Sequence, residues 1–336
     1  MRAEIRMVQA LRAVACLLVV VYHALLAAGG AGAIRAWPNG AAGVDLFFVI
    51  SGYVMVASSR GIAARPDAWR VFLGRRVRRI VPLYWLLTAA KFGVTVAAPG
   101  VTPHTLPNLW NVCASVLFIP ARDAAGAIRP VLPVGWSLNF EFFFYALFTS
   151  ALALRLSPLW LTPVLGAVAV AGFFYSPVWP APLFLANGMV LEFAAGMVLA
   201  VMAFRPGGRA SVVLLGVAMS LLLILPQAGP WRFLVWGLPA AAVLSAALSL
   251  EPTMGARIPA WVLAVGDASY AVYLVHPFVV PTLAAHGPIA AIVAVPISVA
   301  AGLLVHRQVD ARLQRAVRPR PHPTSVMLAE AGQTVS

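Results

Sequence analysis

The feature that most constrains this chain is its first long apolar run, residues 7–28, which reads MVQALRAVACLLVVVYHALLAA. A helix of about twenty apolar residues spans a bilayer, so the run predicts a transmembrane helix. It nevertheless contains Arg12 and His23, and ionisable groups at membrane depth are costly. Their spacing puts both on one helix face, about 16 Å apart along the axis. This one-sided pair indicates a polar cavity inside a helix bundle.

The composition is that of a polytopic helical membrane protein. Of 336 residues, 62% are hydrophobic and 10% are charged, and the mean hydropathy is +0.90, which excludes an ordinary soluble domain. The net charge of +14 does not indicate a nucleic-acid partner, because basic residues gather at the cytoplasmic ends of spans. Cys16 and Cys113 lie in apolar contexts, so neither a disulfide framework nor a metal site is predicted.

Ten apolar runs predict an all-α, polytopic membrane bundle of about ten transmembrane helices. They lie at about 7–28, 41–57, 80–98, 136–154, 158–175, 183–204, 210–226, 231–250, 260–284 and 288–305. The even number puts both termini on one side of the membrane. Placing that side in the cytoplasm assigns 18 of the 24 basic residues to cytoplasmic segments, as the positive-inside rule requires. The outer loops then hold only Arg35, Arg122, Arg129 and Arg232.

This arrangement predicts a multi-pass protein of the bacterial inner membrane, surrounded by the lipid bilayer. We expect a transmembrane domain at residues 1–306. The remaining residues, 307–336, are predicted to form a basic, proline-containing cytoplasmic tail, disordered from about Pro319 because of its polar, proline-rich composition.

Two segments between the predicted spans are unusual. The first inner loop, residues 58–79, is rich in arginine. Its arginines are Arg60, Arg65, Arg70, Arg75, Arg76, Arg78 and Arg79. The longest outer segment, residues 99–135, contains a short apolar piece at 109–119. That piece is too short to span comfortably, so it predicts an interfacial or re-entrant helix over the outer mouth.

Eight ionisable side chains fall within the predicted spans and outline a polar path. They are Arg12, His23, Asp45, Lys91, Glu141, Glu192, Asp267 and His276. The alternating span directions place four of them, the two histidines with Asp45 and Glu141, at a similar depth in the outer half of the membrane. The inner mouth is basic, which suits a phosphorylated cytoplasmic ligand because guanidinium groups bind phosphate bidentately. A histidine beside a carboxylate suits proton abstraction from a hydroxyl group.

Each of these groups also has a purely structural interpretation. An arginine cluster is also a topology signal that contacts lipid headgroups. A single intramembrane histidine often makes only a structural hydrogen bond. Lys91 and Glu192 are explained equally well by interhelical pairs or by a place along the acceptor path.

Four short sequence blocks stand out along the membrane part of the chain. The first is the pair Arg12 and His23, with ten residues between them. The second reads GVDLFFVISGYVM at residues 43–55, and the third reads RRVRRIVPLYW at 75–85. The fourth, WSLNFEFFFY, begins at Trp136, and a weaker fifth, ASYAVYLVHPF, covers residues 268–278.

In this order and spacing the blocks resemble the membrane-bound acyltransferase-3 family, the O-acetylases of bacterial surface polysaccharides and small molecules. The match is closest to the short, membrane-only form similar to exopolysaccharide acetylases. The resemblance implies an acyl-CoA donor, usually acetyl-CoA, entering from the cytoplasm. It also implies an acceptor hydroxyl, often on an outward-facing sugar of an exopolysaccharide or lipopolysaccharide. No permanently bound cofactor is expected.

The resemblance and the polar path together predict which residues form the site. The predicted acyl-CoA-binding residues are Arg12, Arg75, Arg76, Arg79 and Tyr84, and the predicted catalytic residues are His23, Asp45 and Glu141. Further candidates are Ser51, Trp136, Ser137, Asn139, Tyr270, Tyr273 and His276. The pantetheine arm is expected to follow the first-span face and bring the thioester to its histidine.

In the predicted mechanism, His23 is the general base that deprotonates the acceptor hydroxyl. Asp45 or Glu141 orients the imidazole. Hydrogen-bond donors at the start of the fourth span, Trp136, Ser137 or Asn139, stabilise the oxyanion. Direct transfer and an acyl-histidine intermediate both stay open.

Two alternative functions also stay open. The same chemistry could acylate a small secreted metabolite, such as a glycosylated antibiotic. Intramembrane histidines and carboxylates also serve as proton relays in transporters, although the arginine-rich loop and the lack of paired broken-helix repeats argue against transport. The acceptor, the acyl chain length and the oligomeric state cannot be predicted from the sequence.

Overall fold

The computed structural model describes residues 5–98, 108–176, 178–203, 205–226 and 229–317, without the side chains of 30–36. Every regular element in these ranges is helical, and they contain no β-strand. The α-helices are α1 Arg6–Ala36, α2 Ala42–Ser59, α3 Ala68–Ala97, α4 Leu109–Val116, α5 Trp136–Ala153, α6 Leu161–Phe173, α7 Val190–Met202, α8 Gly208–Ile224, α9 Leu238–Met254, α10 Ala260–Ala284, α11 Pro288–Val305 and α12 Ala311–Ala316. The prediction of an all-α protein is confirmed.

Six helical segments in the described ranges are long and apolar enough to cross a membrane. They are Arg6–Gly29, Pro38–Ser59, Ala68–Ala97, Gly229–Arg257, Ala260–Ala284 and Pro288–Ala316. Each overlaps one of the ten predicted spans. The other four predicted spans are helical but shorter or less apolar, and correspond to α5, α6, α7 and α8. The number ten and the side of the termini stay predictions.

The prediction that residues 58–79 form a loop is wrong for the second half of this range. Helix α3 begins at Ala68 and continues to Ala97, so the arginine cluster at 75–79 is helical. No proline lies between Asp67 and Ile80, and arginine is a good helix former. A helix of this length is about 45 Å long, which exceeds the roughly 30 Å hydrocarbon core. Its first turns therefore extend beyond the core and present the arginines at the bundle's end.

The short helix predicted in the segment 99–135 is confirmed as α4. The side chain of Asn108 caps it by accepting a hydrogen bond from the backbone N–H of Asn111 at 2.7 Å. Trp85 of α3 donates its indole N–H to the carbonyl of Val116 at 3.0 Å. The helix is thereby fastened to α3.

Helix α2 lies at the centre of the bundle because glycines let its neighbours approach closely. A Cβ on Gly43 would lie 2.3 Å from the carbonyl oxygen of Ala15 in α1, and one on Gly52 would lie 2.2 Å from that of Phe193 in α7. Small residues at helix interfaces provide this close packing inside membranes. Helix α2 is thus fixed between α1 and α7.

Hydrogen bonds between helix ends define the two ends of the bundle. The backbone N–H of Arg6 donates to Glu251 Oε1 at 3.0 Å, joining the start of α1 to the end of α9. The guanidinium of Arg60 donates to the carbonyl of Ala200, joining the ends of α2 and α7. At the opposite end, Trp37 donates to the carbonyl of Leu223 at 3.2 Å. These contacts agree with the predicted relative directions of α1, α2, α7, α8 and α9, and the arginine-rich start of α3 lies at the first end, where Arg76 contacts Ser58.

The tail is helical in its first part. A π-helical turn, His306–Asp310, follows α11 and leads into α12. Residues 318–336 lie outside the described residues, so the disorder predicted from Pro319 and the domain boundary stay predictions.

Candidate active site

A cavity of about 740 Å³ lies among helices α1, α2, α3, α5 and α10. This volume is that of a typical small-molecule pocket. Its polar lining residues are Gln9, Arg12, Ser51, Tyr53, Ser58, Arg60, Arg76, Arg79, Ser137, Glu141, Tyr145, Asp267, Ser269, Tyr270, Tyr273 and His306. The lining therefore combines basic groups from one end of the bundle with hydroxyl and carboxyl groups from its interior.

Three of the predicted donor-binding arginines meet at this cavity. Arg12 comes from α1, and Arg76 and Arg79 come from α3. Arg76 Nη2 donates to the hydroxyl of Ser58 at 2.6 Å, and Arg12 Nη1 donates to Gln9 Oε1 at 3.1 Å. These contacts hold the two guanidinium groups in place at the cavity wall.

Arg75 faces a smaller neighbouring cavity instead. That cavity is about 180 Å³ in volume and shares Ser58, Arg76 and Arg79 with the larger one. Arg75 therefore belongs to the same basic region but not to the lining of the main cavity.

Glu141 is the central acceptor of a hydroxyl cluster in the cavity wall. Its Oε1 accepts hydrogen bonds from Ser51 at 2.5 Å and from the hydroxyl of Tyr145 at 2.6 Å. Ser51 comes from α2, whereas Tyr145 lies one helical turn after Glu141 on α5. Two short hydrogen bonds thus hold this carboxylate in place in the cavity wall.

The end of the cavity farthest from the arginines is formed by Ser137 and Tyr273. Their hydroxyl oxygens lie 2.8 Å apart, and Tyr273 also donates to the carbonyl of Val134 at 2.9 Å. Tyr270, one turn earlier on α10, donates to the carbonyl of Ile80 at 2.8 Å. These bonds tie α10 to α3 and to the start of α5.

The two predicted site histidines lie next to each other, and the ring of Tyr273 separates them from this end of the cavity. The ring centroids of His23 and His276 are 4.9 Å apart, and Tyr273 is 5.8 Å from His276. His276 is fully buried, and neither of its ring nitrogens has a hydrogen-bond partner among the described residues. His23 is only partly buried. Neither histidine lines the cavity itself.

A backbone carbonyl, not a carboxylate, orients His23. Its Nδ1 lies 2.8 Å from the carbonyl oxygen of Val19, so Nδ1 carries the proton when the ring is neutral and Nε2 is the free acceptor. The predicted partners are engaged elsewhere, since Glu141 binds the two hydroxyls described above. The expectation that a carboxylate orients this histidine is therefore wrong.

The second carboxylate, Asp45, forms a buried ion pair with Arg232. The distances are 2.8 Å from Arg232 Nε to Oδ1 and 2.6 Å from Nη2 to Oδ2. The Asp45 side chain is 0% exposed and that of Arg232 is 12% exposed. Asp45 does not line the cavity, so the structure does not support its predicted catalytic role. Arg232, expected in an outer loop, is instead buried between helices.

Three other candidates point away from the cavity. Five residues of helix separate Tyr84 from Arg79, which turns it about 140° to another face, and there its ring packs 4.8 Å from Phe118. Asn139 lies two residues after Ser137, about 200° around α5. Asn139 is buried without a partner among the described residues, and Trp136 packs edge-on against Phe140.

Two further ionisable residues have structural neighbours. Glu192 is fully buried, on α7 beside Gly237 at the start of α9, and interacts with Asp45 and Arg232. Lys91 Nζ lies 5.6 Å from the ring centroid of Phe278. Neither residue lines the main cavity.

Sequence reasoning missed several residues of the cavity lining, among them Tyr145 and His306, as well as Arg232, the buried partner of Asp45. Tyr145 follows Glu141 by four positions, a spacing that puts both on one helix face and could have identified it. His306 lines the cavity and precedes Asp310 by the same spacing. Arg232 carried no comparable signal, because an arginine near a span end is ordinary.

Comparison with known proteins shows the family to which the chain belongs. The model of the acyltransferase domain family, acyltransferase-3, matches residues 6–305. The chain belongs to the acyltransferase-3 family. It is 36% identical over 259 residues to exopolysaccharide production protein ExoZ of Rhizobium meliloti (strain 1021), covering 74% of this chain and 79% of that protein.

A second relative is acyltransferase MdmB of Streptomyces mycarofaciens. It is 28% identical over 276 residues, which cover 72% of this chain and 68% of that protein. No solved structure matches the chain. The protein is therefore a membrane acyltransferase, and the transporter alternative has no support.

Proposed function

We propose that this protein transfers an acyl group, typically acetyl, from cytoplasmic acyl-CoA to a hydroxyl group of an exported or cell-surface carbohydrate. The observation that carries the proposal is the cavity. Four arginines, Arg12, Arg60, Arg76 and Arg79, line it at the basic end of the bundle, and Glu141, Ser137 and Tyr273 line it inside. This change from basic groups at one end to hydroxyl and carboxyl groups inside fits a ligand with a phosphorylated head and a thin reactive arm.

The donor would enter from the basic end, which the positive-inside rule assigns to the cytoplasm. Guanidinium groups bind phosphate oxygens through charge-assisted, often bidentate hydrogen bonds. Arg12, Arg76 and Arg79 would therefore hold the phosphates of CoA. The pantetheine arm would extend past Ser51 and Glu141 towards the Ser137–Tyr273 end of the cavity.

The transfer itself would take place between this end and the histidine pair. The Nε2 atom of His23 is the free acceptor, so it would take the proton of the acceptor hydroxyl as the oxygen attacks the thioester carbonyl. The carbon–sulfur bond then breaks, and the same proton goes to the leaving thiolate, which departs as CoA thiol. Ser137 would stabilise the developing oxyanion by turning its hydroxyl hydrogen from its present partners, Tyr273 and the carbonyl of Val134, to the substrate. An acyl-histidine intermediate fits the same geometry.

The partial exposure of His23 supports separate routes for the two substrates, with the donor in the cavity and the acceptor at the histidine pair. Its partner His276 is fully buried, whereas His23 is partly exposed about 16 Å along α1 from Arg12. An acceptor approaching from the predicted outer half would thus reach His23 without passing the donor cavity.

The carbohydrate acceptor is supported by the relative from Rhizobium, whose name assigns it to exopolysaccharide production. A small secreted metabolite is the alternative acceptor. We propose the inner membrane as the location because of the six span-length apolar helices and the arginine asymmetry.

The test combines donor binding with transfer. The purified chain in detergent is titrated with CoA by calorimetry, and membranes are incubated with acetyl-CoA labelled in the acetyl group. We expect CoA to bind and label to enter a carbohydrate fraction from which base releases it as acetate, as an O-acetyl ester requires. Label in a small metabolite alone would replace the acceptor, and no CoA binding would overturn the donor assignment.

A further inference from the structure

A π-helical turn at the end of the last span places a histidine in the donor cavity. The turn, His306–Asp310, interrupts the helical course between α11 and α12, and His306 lines the cavity. Single π turns within helices occur frequently at functional sites. Helix α12 packs against α3, the helix that carries the arginines, so this turn is fixed relative to the basic end of the cavity.

A buried carboxylate holds this histidine. His306 Nδ1 lies 3.0 Å from Asp310 Oδ2, and Gln314 donates to Asp310 Oδ1 at 2.9 Å. The Asp310 side chain is only 5% exposed, while that of His306 is 30% exposed. Both carboxylate oxygens are therefore occupied inside the protein, and the imidazole lies at the boundary with the cavity.

The pairing decides which ring nitrogen is offered to a ligand. Because Nδ1 donates to Asp310, Nε2 is the nitrogen available to the cavity. A phosphate group placed against Nε2 favours the protonated ring, in which Nε2 carries a hydrogen and becomes a charge-assisted donor. The charge of the imidazolium is then matched by Asp310, so His306 contributes a directed hydrogen bond without adding to the net positive charge of Arg12, Arg76 and Arg79.

We propose that His306, positioned by Asp310, is a further donor-binding residue that donates a hydrogen bond to a phosphate group of the acyl donor. The inference rests on the proposed acyl-CoA donor. Its setting fits an anion, because four arginines line the same cavity. Both phosphate sources on CoA, the 3′-phosphate and the pyrophosphate, offer the same acceptor oxygens.

The test measures ligand affinity in the full chain. CoA and 3′-dephospho-CoA are titrated into wild type, His306→Gln and His306→Arg. Loss of one charge-assisted hydrogen bond is expected to weaken binding of CoA to His306→Gln about tenfold or more. His306→Arg, which keeps a cationic donor, should bind CoA within about threefold of wild type.

The two ligands identify the phosphate. If His306 meets the 3′-phosphate, the mutation and the missing phosphate will not be additive, because removing either one removes the same contact. If His306 meets the pyrophosphate, His306→Gln will bind both ligands more weakly by the same factor.

Controls separate this inference from the donor assignment itself. The control variant His286→Gln changes an exposed histidine just after α10, whose Nδ1 lies near the carbonyl of Thr282. This variant should bind CoA like wild type. Asp310→Asn, which keeps the histidine, should weaken CoA binding less than His306→Gln does. Wild-type protein that does not bind CoA would overturn the proposed function, whereas wild-type binding matched by His306→Gln, with unchanged melting, would overturn this inference alone.

Discussion

The carboxylate of Asp45 in α2 and the guanidinium of Arg232, just before α9, form a doubly hydrogen-bonded ion pair inside the bundle. A third charged group, Glu192 of α7, lies buried beside them. The cluster connects three helices at the end opposite the arginine-rich mouth. Asp45 thus contacts Arg232 and not His23.

Replacing Arg232 should destabilise the protein more than replacing Asp45. Removing one partner of a buried ion pair typically costs about 3–5 kcal/mol. Arg232→Ala leaves two buried carboxyls without their cation, whereas in Asp45→Ala the neighbouring Glu192 can still pair with the arginine. We therefore expect the thermal midpoint in detergent to fall further for Arg232→Ala. An Asp45→Asn variant that melts like wild type and yet transfers no acyl group would restore the catalytic interpretation.

The arginine pair of α3 should control donor affinity. Replacing both Arg76 and Arg79 by alanine removes charge-assisted contacts to phosphate, so CoA binding should weaken by about 100-fold or more. The matched control is Arg65→Ala, because Arg65 pairs with Asp67 on the surface and does not line the cavity. Calorimetric titration checks both variants. Unchanged affinity in the folded double variant would leave the cluster with a topological role only.

The hydroxyls around Glu141 should position its carboxylate for the reaction. Ser51→Ala and Tyr145→Phe each remove one hydrogen bond to Oε1, and each is expected to lower kcat about tenfold while CoA affinity stays within about twofold. The double variant tests whether both act through Glu141, because shared action makes their effects non-additive. Glu141→Gln should lose more activity than either single variant. Full activity in Tyr145→Phe would show that the cluster is structural.

Helix periodicity explains which parts of the site were predictable. On α5, Ser137, Glu141 and Tyr145 follow at intervals of four and line one wall. On α1, Arg12 lines the cavity, whereas His23 lies beside His276 outside its lining. The pattern on α5 needs only the geometry of a single helix, so the sequence is sufficient.

The failures concern relations between helices. Depth in the membrane suggested that Asp45 meets His23, but depth does not determine direction around the helix axis. Asp45 and Ser51 are six residues apart, so they point about 120° apart on α2. Ser51 faces the cavity and Asp45 faces Arg232. Which neighbour each face meets depends on packing, for example at Gly43 and Gly52, and cannot be derived from one sequence.

The membrane orientation can be tested independently. Reporter fusions after Arg60 and Ser336 should report the cytoplasm, and a fusion after Arg122 should report the outside, because of the arginine asymmetry. A cytoplasmic signal at Arg122 would place the basic mouth outside, where it could not receive a cytoplasmic donor.

The most direct test of the central claim is acetyl transfer by His23→Gln. Glutamine can still form hydrogen bonds but cannot accept the proton at neutral pH, so we expect a loss of about 10²- to 10⁴-fold in rate with unchanged CoA affinity and melting. His286→Gln is the matched control and should remain active. A His23→Gln enzyme that keeps a large share of the wild-type rate would contradict the account, and the catalytic base would have to be sought at Glu141 or His276.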